Sequence, residues 1–191
     1  ETGLRLESVE HDSSVVGLDT VDFSAGSFSI GVVAPLNDGL TLSGLYDLSS
    51  RAPTVEELFS NGPHLATQSF EIGDVSLQEE TVSALSFTAN YRSDLFDISA
   101  TAYVMDFDDF IYQAADGRVE DDLPVFLYEQ DDARFTGLDI EAVIHLAQML
   151  GGDIDLTLLY DMVDAEVDIS GNQNLPRIPA TRAGFGLKWQ N

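Results

Sequence analysis

The period of the apolar residues constrains this chain more than any other feature. In the run 153–162 one face reads Ile154, Leu156, Leu158, Tyr160, Met162, and the other reads Asp153, Asp155, Thr157, Leu159, Asp161. Phe96, Ile98, Ala100, Ala102 and Val104 alternate in the same way with Asp97, Ser99, Thr101, Tyr103 and Met105. Near the C-terminus Ala183, Phe185, Leu187 and Trp189 alternate with Arg182, Gly184, Gly186 and Lys188, and Phe28-Ser29-Ile30-Gly31-Val32 repeats the pattern. A period of two puts successive side chains on opposite faces of a strand; a helix needs 3.6. The pattern predicts eight strands, over about 3–11, 22–34, 40–49, 78–91, 95–111, 126–146, 152–167 and 180–190.

The connections alternate in length. Residues 35–39, 92–94 and 148–151 are tight turns, supplied with Gly, Asn and Asp where such turns need them. Longer connections lie at about 12–21, 50–77, 112–125 and 168–179. Short turns on one rim and long loops on the other are the signature of an outer-membrane barrel, whose strands need only about 9–11 residues to cross the bilayer. A soluble antiparallel sandwich also alternates in and out, but predicts no such ordering of loops. The acids separate the two further. Asp139, Glu141, Asp153, Asp155 and Asp161 fall on the polar side of their strands. There a wet lumen tolerates them and a sandwich core would not.

Composition narrows the function. Among 191 residues, 34 acidic against 8 basic side chains give a net charge of −26, yet 44% are hydrophobic. That is too apolar for a disordered acidic tail. The acidic balance excludes a nucleic-acid partner, and simple charge attraction to an anionic membrane surface is also excluded. There is no cysteine, so disulfides, thiolate nucleophiles and Cys metal sites are absent. Residues 1–7 hold neither a basic nor an apolar run of the kind a signal peptide needs. No stretch approaches the roughly 20 apolar residues of a transmembrane helix. Gly-x-Ser-x-Gly, P-loop, Gly-x-Gly-x-x-Gly and His-Glu-x-x-His motifs are all missing, so an enzyme is not expected. No linker or low-complexity stretch divides the chain, which reads as one domain over 1–191.

The connection after the third strand carries the string Arg51-Ala52-Pro53-Thr54-Val55-Glu56-Glu57-Leu58-Phe59-Ser60-Asn61-Gly62-Pro63-His64-Leu65-Ala66-Thr67, then Phe70-Glu71-Ile72-Gly73-Asp74 and Leu77-Gln78-Glu79-Glu80-Thr81. It resembles the R-A-P-x-x-E-E-L-F barrel loop of TonB-dependent outer-membrane receptors, in particular the branch that includes zinc-uptake receptors. Residues 107–112, 134–141 and 175–180 extend the resemblance over roughly 40–189. It implies an all-β, antiparallel, up-and-down transmembrane barrel of the 22-stranded type, of which about eight strands are present. It also implies an N-terminal plug domain, absent here, and a TonB energy-coupling partner engaged through that missing part. Outer-membrane lipid and the Gram-negative outer membrane complete the expected setting. On this reading the chain is an internal fragment of a receptor that imports a metal ion or metal chelate, zinc or a siderophore among them. The metal is cargo, and no cofactor is implied. A passive porin-like barrel and a soluble β-sandwich binding module are the alternatives.

Within the string, Thr54 and Glu57 have the spacing of a capping box, and acidic residues in the first turn suit the helix dipole. A short helix is expected, with Gly62 as a left-handed stop. Arg51, Glu56 and Glu57 either order this loop or contact ligand. Of three histidines, His11, His64 and His145, no two are close in sequence. His64 stands out because it sits in the string, and imidazole with carboxylates suits a transition metal. Ten acids between Asp106 and Asp132 face one basic residue, Arg118. Asp116, Asp121 and Asp122 of this cluster are candidate ligand contacts, although Asp116-Gly117 lacks the spacing of an EF-hand. The alternative is a solvated acidic rim.

Overall fold

The computed structural model describes residues 1–12, 20–149, 151–168, 174, 175 and 177–190. Leu150, Pro176 and Asn191, and parts of the expected connections at 12–21 and 168–179, lie outside the described residues.

Among the described residues, eight long strands run up and down in chain order, each hydrogen-bonded to the next: β1 (Thr2–His11), β2 (Val21–Pro35), β3 (Leu40–Arg51), β6 (Glu80–Arg92), β7 (Phe96–Glu120), β8 (Leu123–Met149), β9 (Gly152–Val167) and β10 (Arg182–Gln190). They form a single antiparallel sheet that does not close on itself, as expected for part of a large barrel. The sandwich alternative is thereby set aside. The tight turns are held by side chains. Asn37 Oδ1 accepts from the amides of Gly39 at 3.0 Å and Leu40 at 2.9 Å, and Ser93 Oγ accepts from those of Leu95 and Phe96.

Register sorts the two faces. Ser43, Thr88, Thr101, Asp139, Asp161 and Arg182 form one row across six strands, joined by a 2.9 Å Thr88–Thr101 hydroxyl pair and a 2.8 Å Arg182–Asp161 ion pair. One residue along each strand, on the opposite face, Leu42, Ala89, Ala100, Ile140, Tyr160 and Ala183 form an apolar row. Large side chains on that face stay open: Leu6 is 81% and Phe185 80% exposed. Apolar area on this scale has no place in water and suits lipid. The acidic face is then the lumen. There Tyr103 lies over Gly137, its partner across the ladder, where a Cβ would stand 2.1 Å from the ring. Only glycine leaves room for the ring.

The connection at 50–77 is built rather than loose. It holds a helix, α1 (Val55–Phe59), and a hairpin of β4 (Asn61–His64) and β5 (Ser69–Ile72). The helix ends at Ser60, whose extended backbone (φ −56°, ψ 134°) turns the chain directly into β4. Gly62 is therefore a strand residue opposite Glu71, and the expected left-handed stop does not form. The expected long loop at 112–125 is also corrected. The β7–β8 ladder continues to Glu120↔Leu123, and only Asp121 and Asp122 turn, both with positive φ (50° and 62°). These are the dihedral signs of a two-residue hairpin turn, written with Asp-Asp where Asn-Gly is the recognisable signal. The ribbon leaves the wall at a bulge between Phe107 and Phe110, with Asp109 at φ 58°.

Two apolar clusters close the long-loop end. Phe23, Leu58, Leu77 and Ile111 bury α1 against the sheet, while Ala133, Ala165, Val167 and Leu175 pack with Phe107, Phe110, Tyr112 and Phe135. The three phenylalanines meet pairwise with ring centroids 5.1–5.3 Å apart. β5 adds in parallel to β8 through Phe70↔Val125, Glu71↔Phe126 and Ile72↔Leu127, so the insert and the ribbon form one body above the wall.

Candidate functional site at the barrel mouth

The mouth is organised by Arg51, the last residue of β3. Its guanidinium meets Glu57 twice (Nη1–Oε2 2.9 Å, Nη2–Oε1 3.2 Å) and Glu80 twice (Nε–Oε1 3.1 Å, Nη2–Oε2 3.0 Å). This planar fork suits two carboxylates at once, as an ammonium could not. Each carboxylate has further backbone work. Glu57 Oε2 accepts from the Thr54 amide at 2.7 Å while Thr54 Oγ1 accepts from the Glu57 amide, completing the expected capping box. Glu80 Oε2 accepts from the Ile111 amide at 3.0 Å. One arginine thus ties β3, α1, β6 and β7 together. Burial disfavours its charge, but bonds to Glu57 and Glu80 outweigh this and hold its pKa above the ordinary value.

A second centre forms around Glu71, buried in β5. Its Oε1 accepts from Thr67 and Ser69 hydroxyls, each at 2.9 Å, and Tyr128 donates to Oε2 at 3.1 Å. His64 Nδ1 lies 3.2 Å from Oε1 and 2.8 Å from Thr67 Oγ1. Burial pushes the Glu71 carboxyl up, yet hydrogen bonds from Thr67, Ser69, Gln113 and Tyr128 prevail and hold it below the usual carboxylate range. A depressed carboxyl contributes stability above its unfolded pKa and loses it as pH falls through the folded one. The β4–β5 hairpin is therefore expected to keep its amide-exchange protection from neutral pH to about pH 5. Protection should fall below the ordinary Glu value of about 4.3, and Glu71→Gln should remove that acid sensitivity.

The other candidates are spread out. Glu56 is exposed on α1 and, with Arg5, Glu7 and His11, borders a lumen-side cleft of about 490 Å³. His11 packs edge-on against Phe23 and bonds the Pro53 carbonyl at 3.0 Å, a structural role. Asp116 pairs with Arg118, accepting from its amide at 2.8 Å and from its guanidinium, which keeps its carboxyl low. Asp121 and Asp122 occupy the ribbon tip. The structure thus brings Arg51 to Glu57, leaves Glu56 and His64 at separate places, and carries Asp116, Asp121 and Asp122 out along the ribbon. Beside Glu129, burial and that acid push the Tyr112 hydroxyl up to about 12. Among the described residues no three His, Asp or Glu side chains converge as a metal site.

Sequence reasoning gave Glu80, Glu71, Gln113 and Tyr128 no role. Glu71 carried a signal: a lone acid between Phe70 and Ile72 in a short apolar run, where Ser69, Phe70 and Glu71 are buried. Such an acid needs donors.

With this geometry in place, comparison with known proteins decides the family. The family model described as "TonB dependent receptor-like, beta-barrel" matches residues 1–191. The chain belongs to the TonB-dependent receptor β-barrel family. Among solved structures it resembles the copper transporter OprC at 24% identity and a TM-score of 0.78, covering 97% of this chain and 28% of that one. The FrpB iron transporter from Neisseria meningitidis aligns at 16% and 0.61, over 91% of this chain and 24% of that one. The hemophore receptor HasR of Serratia marcescens, solved with its hemophore HasA and heme, aligns at 17% and 0.58, over 97% and 36%. At such identities the likeness is one of fold. The chain spans between 24% and 36% of the length of these three proteins, so the receptor wall described here is one part of such a barrel.

Proposed function

We propose that the chain supplies wall and mouth to a Gram-negative outer-membrane receptor that captures a scarce metal ion or metal chelate and imports it by energy coupling. On this reading residues 1–191 are a single partial barrel domain. A plug domain fills the lumen, and the inner-membrane TonB protein acts on that plug. The observation that carries the reading is a wall with an apolar lipid face and an acidic lumen face, in a chain matching the receptor family along its whole length. An acid-lined route favours cations and polar complexes. The neighbours named for copper and iron transport support a metal cargo.

His64 is the side chain best placed to touch metal. Its Nδ1 bonds Thr67 Oγ1, which in turn donates to Glu71, so polar neighbours hold the ring through Nδ1 and leave Nε2 for a metal. A metal bound there draws its other donors from the plug or other loops, or arrives already chelated. Binding of Zn²⁺, Cu²⁺ and a ferric siderophore to the full-length receptor tests this. His64→Ala is expected to weaken binding of one of these by about 10-fold or more, and deletion of 112–125 should weaken it as well. If neither change moves any of the three affinities, capture at this mouth is wrong. Uptake that continues without the energy-coupling partner would favour the porin-like alternative.

A further inference from the structure

At the opposite, short-turn rim, a row of charged side chains crosses five strands on the lumen face. Arg92 of β6 stands opposite Asp97 of β7, His145 of β8 opposite Asp155 of β9, and Asp155 opposite Lys188 of β10. His145 is at the centre. Its Nδ1 lies 2.8 Å from Asp155 Oδ1, its Nε2 lies 3.9 Å from Asp97 Oδ2, and Arg92 Nε lies 3.8 Å from Asp97 Oδ1. Each ring nitrogen thus has a carboxylate from a different strand.

The backbone ladder breaks at the same residue. His145 pairs with Asp155, but Ala147 pairs with Ile154, so Leu146 is bulged out. Beyond the bulge the described residues add three register pairs, Ala147↔Ile154, Gln148↔Asp153 and Met149↔Gly152, which hold the hairpin end. The side-chain row therefore bridges the sheet beside a break in the β8–β9 backbone ladder.

We propose that His145 is a proton-operated clasp. As imidazolium it ties β7 to β9 across the bulge, and on losing its proton it releases the β8–β9 hairpin end at the periplasmic rim. The imidazolium donates from Nδ1 to Asp155 and holds Asp97 by charge attraction alone, since 3.9 Å is beyond hydrogen-bond reach. Neutral imidazole has one N–H, and its other nitrogen turns a lone pair toward a carboxylate. Asp153 at the start of β9 adds further negative charge at the ring, and Arg92 and Lys188 stand in the same row. Acids outnumber bases, so the charged form is favoured, and the clasp is closed at low pH and lost as pH rises through the His145 titration.

The clasp is independent of cargo, so its failure would leave the import reading untouched. The test is amide exchange of residues 143–156 in the full-length receptor in detergent micelles at pH 6 and pH 8, corrected for intrinsic rates, beside an NMR titration of the imidazole. Protection about two- to fivefold higher at pH 6 is expected, the scale of a partly exposed ion pair. His145→Gln should abolish the difference, and Asp155→Asn should shrink it and lower the imidazole midpoint. Equal protection at both pH values, or a difference that survives His145→Gln, overturns the proposal. Should His145→Gln fail to fold, the wild-type titration and Asp155→Asn decide the matter.

Discussion

Replacing Arg51 with alanine in the full-length receptor is expected to detach the insert at 52–77 from the wall. The substitution leaves Glu57 and Glu80 facing each other without a cation, with side chains only 14% and 9% exposed. Breaking a fully buried pair costs about 3–5 kcal/mol. The Arg51 side chain is 41% exposed, so solvent screening brings the expected loss to about 2–3 kcal/mol. Because Glu80 also holds the Ile111 amide, the damage should reach the base of the β7–β8 ribbon. Limited proteolysis and amide exchange would show α1 and the ribbon base opening while strands at the short-turn rim keep their protection. Arg51→Lys should recover only part of the loss, since an ammonium cannot bridge two carboxylates bidentately. Wild-type protection of α1 in Arg51→Ala would refute the keystone role.

Gly73→Ala should be nearly as severe, for a steric reason. A Cβ at Gly73 would sit 2.7 Å from the Glu57 carbonyl oxygen and 2.7 Å from the Leu58 carbonyl carbon. Both are backbone atoms and cannot rotate away. They also lie where the Gly73 and Asp74 amides donate to Ser60 at 2.7 Å and Glu57 at 2.9 Å. Accommodating one methyl therefore means moving α1 off the return strand, at about 2–3 kcal/mol. Gly62 supplies the control, because nothing lies within 4 Å of its would-be Cβ and its φ is not positive. Gly62→Ala should change the midpoint of denaturant unfolding little, and Gly73→Ala should lower it clearly. Equal effects from the two would show that the close approach does not matter.

The eight wall strands were legible because a two-faced wall must alternate at every step. A one-residue slip would turn Asp139 or Asp161 into lipid and Leu138 or Tyr160 into the lumen. The capping box was legible too, since Thr54 and Glu57 need only each other and their own backbone. The ribbon at 108–131 was harder to see. Its residues alternate less cleanly, because β5, Leu77 and the segment around Leu175 cover it from several sides. Its Asp-Asp turn also offers no glycine. Acidity at 116–122 signals solvent, which a loop and a protruding hairpin share.

The site divides along the same line. Sequence by itself determined the eight-strand sheet, the lipid and lumen faces and the short helix, because each is written in local spacing that backbone geometry reads directly. Only the tertiary structure decided that Arg51 bridges Glu57 and Glu80, and that Glu71 gathers Thr67, Ser69 and Tyr128 around a single carboxylate. These groups lie up to 57 residues apart. Neither charge nor period reveals which distant strand a buried acid will meet, since that depends on where the ribbon bulges and how the insert folds back on the wall.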